Sequence, residues 1–262
     1  MAGIARRRAA SLSGWLPVGA LAVAWELLAR SGVVTPFMLP RLSVVLERIW
    51  TDAAHGSLAA QIGQTLYRSI GGFALAAAGG ILLGLAMNRS RIVRWFFDPL
   101  ISIGFPMPKI AFLPIVILWF GVYDFSKIFM IVFDASFPVV TATVAGAQAV
   151  ARELLWSARS LGSTERQIWQ EVVLPAALPQ IITGLQVALP IALIVCIVTE
   201  MKMGGIGLGA AMMERSRFAD SPGVFAGIVE IAVIGYLLVQ GMAVMRARLL
   251  RWHQESDAAR VR

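Results

Sequence analysis

"ARELLWSARSLGSTERQIWQEVVLP", residues 151–175, places charge in a chain otherwise built of long apolar runs. Ala151, Leu154, Leu155, Ala158 and Leu161 recur at helical spacing on one face, while Arg152 and Arg159 lie away from it. Gly162 supplies the left-handed residue that ends such a helix. Thr164, with Gln167 three residues on, forms a capping box for a second helix through about Val173, expected to stop near Leu174 and Pro175. The stretch predicts a helix-turn-helix at the membrane surface, and composition alone fits equally a pair that merely anchors in lipid headgroups.

The flanking sequence makes that surface a membrane. The mean hydropathy is +0.75, with 58% hydrophobic and 15% charged residues, where soluble domains carry about 25% charged residues. The formal net charge of +8 does not form an aromatic-interleaved basic face, which argues against nucleic acid as a partner and for lipid. The single cysteine, Cys196, lies inside an apolar run and can build neither a disulfide framework nor a cysteine metal site.

Six apolar runs approach the length needed to cross a bilayer: about 14–30, 69–88, 100–121, 127–149, 180–201 and 223–245. The expected organisation is an N-terminal tail, 1–13, a transmembrane domain, 14–246, with its surface loop at 150–178, and a C-terminal tail, 247–262. Arg6 to Arg8, Arg89, Arg91 and Arg94, the arginines of the 150–178 loop, and Arg246, Arg248 and Arg251 flank alternate ends of the runs. By the positive-inside rule both termini and the loop are cytoplasmic. Arg30, Arg41, Arg48 and Arg68 dissent, because they put positive charge in outer connections. The first run has the basic flank of a signal peptide, but Glu26 and the absence of a clean small-residue cleavage site favour a retained helix. Ala76, Gly80 and Gly84 form a small-residue ridge for close helix packing. Pro106, Pro108 and Pro114 in the third run, and Pro190 in the fifth, should start helices irregularly or kink them.

Chemical motifs largely fail. "GGIGLGA" at 204–210 has a GxGxxA spacing, but it follows a membrane run rather than a strand. The two histidines, His55 and His253, are far apart, and no triad, metal motif or phosphate loop is present. Catalytic and metal residues are therefore none in this chain. Asp134 and Glu230 lie inside their runs, where an ionised side chain costs about 2.5–3.5 kcal/mol on insertion scales, so each should face the bundle or a water-filled path. Glu200, with Lys202 two residues on, reads as an interfacial pair or a third path residue.

These residues resemble the permease subunits of bacterial ABC importers, whose cytoplasmic loop reads E-A-A, three residues, Gly, nine residues, I-x-L-P. Ala158 and Gly162 match the third and seventh positions, and Val172, Leu174 and Pro175 take the I-x-L-P places; Trp156 and Ser157 stand where the pattern has Glu and Ala, with Glu153 one turn earlier. "FDPLISIGFPMPKIAFLPIVILWFGVYDFSKI", "VVLPAALPQIITGLQVAL" and "GGIGLGAAM" look like the nitrate, sulfonate, taurine and bicarbonate branch. The resemblance implies an all-α membrane protein of the type I importer permease fold. It would have six transmembrane helices and a coupling loop between the fourth and fifth, sited in the bacterial inner membrane. Two copies would form the pathway, two cytosolic ATPase subunits would bind ATP and Mg beneath, and an extracytoplasmic binding protein would deliver a small solute. Cofactors are none in this subunit. Glu153, Trp156, Ala158, Gly162, Val172, Leu174 and Pro175 would contact the ATPase. Carboxylates in the path sit awkwardly with anionic cargo, unless they are protonated or paired, or the cargo is a neutral or cationic heterocycle. A channel or a membrane enzyme outside this family is the remaining alternative.

Overall fold

The computed structural model describes residues 2–56 and 58–250, with side chains from Leu16 onward except that of His55. Every element among them is helical: α1 (Ala2–Arg30), α2 (Leu42–His55), α3 (Leu58–Arg89), α4 (Arg91–Gly104), a 3-10 turn (Lys109–Phe112), α5 (Leu113–Phe120), α6 (Asp124–Gln148), α7 (Arg152–Ser160), α8 (Glu165–Gln167), a π-helical turn (Ile168–Val173), α9 (Leu174–Met203), α10 (Leu208–Arg217) and α11 (Ser221–Leu249). His253 and Arg251 lie outside the described residues.

The core is the close packing of α3, α6 and α9, and small residues make it possible. Ala76 is fully buried, and a Cβ at Gly80 would come within 2.8 Å of the Val139 Cβ. At Gly84 it would meet Thr143 at 2.6 Å. Thus the expected ridge is the α3–α6 contact, and Gly72 against Ile131 extends it by one more step. Met130, Ala135 and Val139 of α6 meet Ala188, Ala192 and Val195 of α9 in one apolar cluster. Around this trio α10, α11 and α2 also pack, while α4 buries no residue, lies along α3 and meets α6 where Gly104 abuts the Phe137 ring.

Among the described residues four helices are long and apolar enough to cross a membrane: Leu58–Arg89, Asp124–Gln148, Glu165–Met203 and Ser221–Leu249. Two of the expected runs take a different shape. The third is no single rod from 100 to 121, because α4 and the Lys109–Phe120 segment meet at 95° and count as a fifth span only if taken together. Pro106 and Pro108 sit at the corner, where they remove donors and helical freedom, and Pro114 begins α5. The second loop helix does not stop at Leu174 and Pro175; it continues without interruption from Glu165 to Met203. The π-helical turn just before Pro175 takes the carbonyls out of the register its ring would strike, and the proline falls in the first turn of α9.

Candidate functional site

Three groups of residues carry function-bearing chemistry, at the two ends and the middle of the bundle. The first is the 151–175 stretch. α7 ends in a Schellman turn: Gly162 has φ +83°, its N–H donates to Arg159 O at 3.0 Å, and Ser163 N–H donates to Ala158 O at 3.1 Å. Thr164 Oγ1 then accepts from Gln167 N–H, and Gln167 Oε1 accepts from Thr164 N–H at 2.8 Å. The turn chemistry is as the sequence spelled it.

The apolar stripe, in contrast, divides. Leu155 and Ala158 turn inward with Trp169 and Val172 against a cluster of Ala147, Val150, Ile168, Val173, Ala177 and Ile181. Leu154, Trp156 and Leu161 turn outward, at 53%, 60% and 86% exposure. Ala158 therefore packs on the membrane body and not on an outward docking face. Glu153 and Pro175 are exposed, and Leu174 is 38% exposed. Glu153 makes no side-chain bond to another described residue, which leaves it free for an outside partner.

The second group lies at the opposite end, where Arg68 of α3 joins α6, α9 and the following loop. Its guanidinium reaches Glu200 Oε1 at 2.7 Å and Asp124 Oδ1 at 2.6 Å, and donates to Ile206 O at 2.6 Å. Glu200 also accepts from Thr65 Oγ1 at 2.9 Å and from Gly209 N–H at 3.1 Å, while Lys127 Nζ donates to Gly204 O at 2.6 Å. Arg68 is therefore no residue of an outer connection, and Glu200, fully buried, is paired with Arg68 rather than with Lys202. Here the glycines of 204–210 have their reason. Gly207 has φ +150°, and any Cβ on it would strike the Glu200 carboxylate, so only glycine lets the loop lie across the hub.

The third group comprises the two acids within the membrane runs. Asp134 Oδ1 lies 3.3 Å from Lys109 Nζ, an ammonium 8% exposed that also donates to Phe105 O at 2.8 Å and sits 4.4 Å over the Phe137 ring. Glu230 Oε2 lies 3.7 Å from Arg215 Nη1, and Arg215 is held by Asp52 at 2.7 Å and by Gly223 O at 3.1 Å. Arg48 extends that network to Asp52 and Asp220. Each acid thus has a basic partner supplied by another element. The sequence reading missed Lys109 and Arg215; the available signal was a basic residue inside or beside an apolar run, which demands a counter-charge as strictly as an acid does. Among the described residues no group of three or more His, Cys, Asp or Glu is placed to hold a metal ion.

Residues 76–251 match the family described as "Binding-protein-dependent transport system inner membrane component". The chain belongs to this family. It is 34% identical over 248 residues to the taurine transport system permease protein TauC of Escherichia coli (strain K12), covering 92% of this chain and 90% of the relative. It is 31% identical over 252 residues to SsuC of Bacillus subtilis (strain 168), provisionally named an aliphatic sulfonates transport permease, covering 96% and 91%. It is also 31% identical over 236 residues to the formylaminopyrimidine transport permease protein ThiX of Halalkalibacterium halodurans, covering 90% and 93%. In fold it is similar to a chain of the MetNI methionine ABC transporter solved in inward facing conformations, with a TM-score of 0.62 at 15% identity over 79% of this chain and 97% of that one. A permease of the ABC importer family is a transport subunit and not an enzyme, and its place is the inner membrane.

Proposed function

We propose that this permease carries a small organic sulfonate or similar oxyanion across the membrane. One observation supports an anionic cargo most: Asp134 faces Lys109 as its own counter-charge, and Glu230 faces Arg215, which it shares with Asp52, so each acid has a cation beside it that offsets its charge toward an anion. The sequence had left two resolutions, acids that are protonated or paired or a cargo that is neutral or cationic, and the ion pairs favour pairing. The taurine and sulfonate names of two relatives point the same way, and the pyrimidine name of the third marks the competing outcome. Titrating the purified cognate binding protein with taurine and with formylaminopyrimidine tests the choice. Taurine binding supports the proposal; binding of the pyrimidine alone overturns it.

The working assembly in this reading is two copies of the chain, two ATPase subunits that use ATP and Mg, and the binding protein outside. The membrane domain has six spans, with the apolar part of α1 as the first and the bent α4–α5 pair as the third, and both termini in the cytosol. Three of the four dissenting arginines are occupied in pairs: Arg30 with Glu26, Arg48 with Asp52 and Asp220, and Arg68 with Asp124 and Glu200. Residues 151–175 act as the coupling segment, with Leu154, Trp156 and Leu161 as the apolar contact and Glu153 as the free charge. Cysteines placed at Gly205 and His253, in a background lacking Cys196, should label from opposite faces of the membrane. Labelling from one face would break the six-span arrangement.

A further inference from the structure

The space around Lys109 has features that a structural ion pair does not need. An ammonium has three protons to place. One goes to Phe105 O and one toward Asp134, while among the described residues the third finds no oxygen, only the rings of Phe137 and Phe105 at 4.4 and 5.5 Å. Asp134 is 21% exposed at its side chain, and its second oxygen bonds no described residue. The two rings that flank Lys109, rather than Lys109 or Asp134 themselves, line clefts between α4 and α6. Phe105 bounds a cavity of about 230 Å³ with Asp98, Ser102, Thr141 and Gln148, and Phe137 bounds a second of the same size with Phe97, Phe133 and Ser136. Ile101 and Val140 line both, so the two are adjoining chambers. They run along α6 from Gln148, next to the 151–175 segment, toward the corner where the chain turns by 95°. A broken helix at membrane depth is tolerated where it lines a cavity, and transporters place binding groups at such breaks.

We propose that Lys109 is an anion-binding residue of the translocation path. A sulfonate passing through the α4–α6 cleft takes the ammonium over from Asp134, and Asp134 reclaims it when the anion leaves. The ion pair is thus a resting counter-charge that keeps the buried ammonium neutralised between cargoes, and the Phe105 and Phe137 rings hold it in place without competing as acceptors. The inference rests on the importer reading and adds to it the residue that would select negative charge.

The test uses the complete complex with its ATPase subunits in proteoliposomes, in a Cys196→Ala background carrying Asp134→Cys. Reaction rates are compared for a sulfonate-bearing and an ammonium-bearing methanethiosulfonate, each normalised to its rate with a free thiol. With Lys109 present the anionic reagent should react about tenfold faster, since an ammonium beside the thiol raises the local concentration of its counter-ion. Lys109→Gln should bring the ratio near one, and taurine should slow modification. Ser136→Cys, on the wall of the second chamber, repeats the comparison with the ion pair intact. Equal rates with Lys109 present, a preference that survives Lys109→Gln, or no modification at either position would each overturn the proposal. The double variant Lys109→Gln with Asp134→Asn, which keeps shape and removes both charges, should assemble yet lose taurine uptake. Restored uptake would make the pair a latch and nothing more. If the unaltered complex shows the reagent preference but no taurine uptake, the anion site stands and the sulfonate reading falls.

Discussion

The Arg68–Glu200 hub and the Lys109–Asp134 pair are both buried ion pairs within the membrane domain, and they are built on opposite plans. In the hub the paired charges each have several short partners: Glu200 receives Arg68, Thr65 and Gly209, and Arg68 also holds Asp124 and Ile206 O. Lys109 and Asp134 have each other at 3.3 Å, one carbonyl and two rings. A many-partnered network rigidifies what it joins, here the N-terminal parts of α3 and α6, the C-terminal part of α9 and the start of α10; a pair with few partners holds less and can exchange them. The fold thus separates the charges that fasten the bundle from a charge pair able to do work in it.

If that contrast is right, the variants rank. Arg68→Gln or Glu200→Gln leaves a buried charge unpaired, and should lower stability by about 3–5 kcal/mol, read as lost yield of folded permease and a collapse of thermal stability in detergent. A change as small as that from Asp134→Asn would remove the hub's structural role. Next is Gly80→Val, which drives methyl groups into Val139 at the α3–α6 contact and should cost about 1–3 kcal/mol in the same assay. Asp134→Asn should cost about 1–2 kcal/mol, less than the hub variants because Asp134 is partly exposed and Lys109 keeps the Phe105 carbonyl, while uptake falls steeply. Equal losses of stability and uptake would erase the contrast. Smallest is Arg159→Ala, which breaks an exposed 3.2 Å pair with Glu165, and should shift stability by no more than about 0.5 kcal/mol.

What the sequence disclosed follows the range of the interactions. The Gly162 turn, the Thr164–Gln167 cap and the Ala76–Gly80–Gly84 ridge depend on residues within a few positions of one another, and each could be read from spacing. Arg68 could not, because its partners lie 56 and 132 positions away. An arginine at the edge of an apolar run looks the same whether it faces headgroups or a carboxylate. Pro175 misled for a related reason: the rule that a proline ends a helix assumes α-helical register upstream, and the π-helical turn at 168–173 withdraws that assumption. The inward turn of Ala158 escaped too, since a stripe of five apolar residues does not say which part meets the body and which meets a partner.

In the proposed reading residues 151–175 pass the work of the ATPase to the membrane helices, and Leu161 offers the cleanest handle on that role. It is 86% exposed, so Leu161→Asp places a charge on the outward face with little effect on folding. The measurement is ATP hydrolysis by the complete complex in proteoliposomes, with and without taurine-loaded binding protein outside. The expected result is a permease that folds and inserts as before but whose hydrolysis no longer responds to the loaded binding protein. Full stimulation in the Leu161→Asp complex would contradict the coupling role and leave the segment a surface anchor.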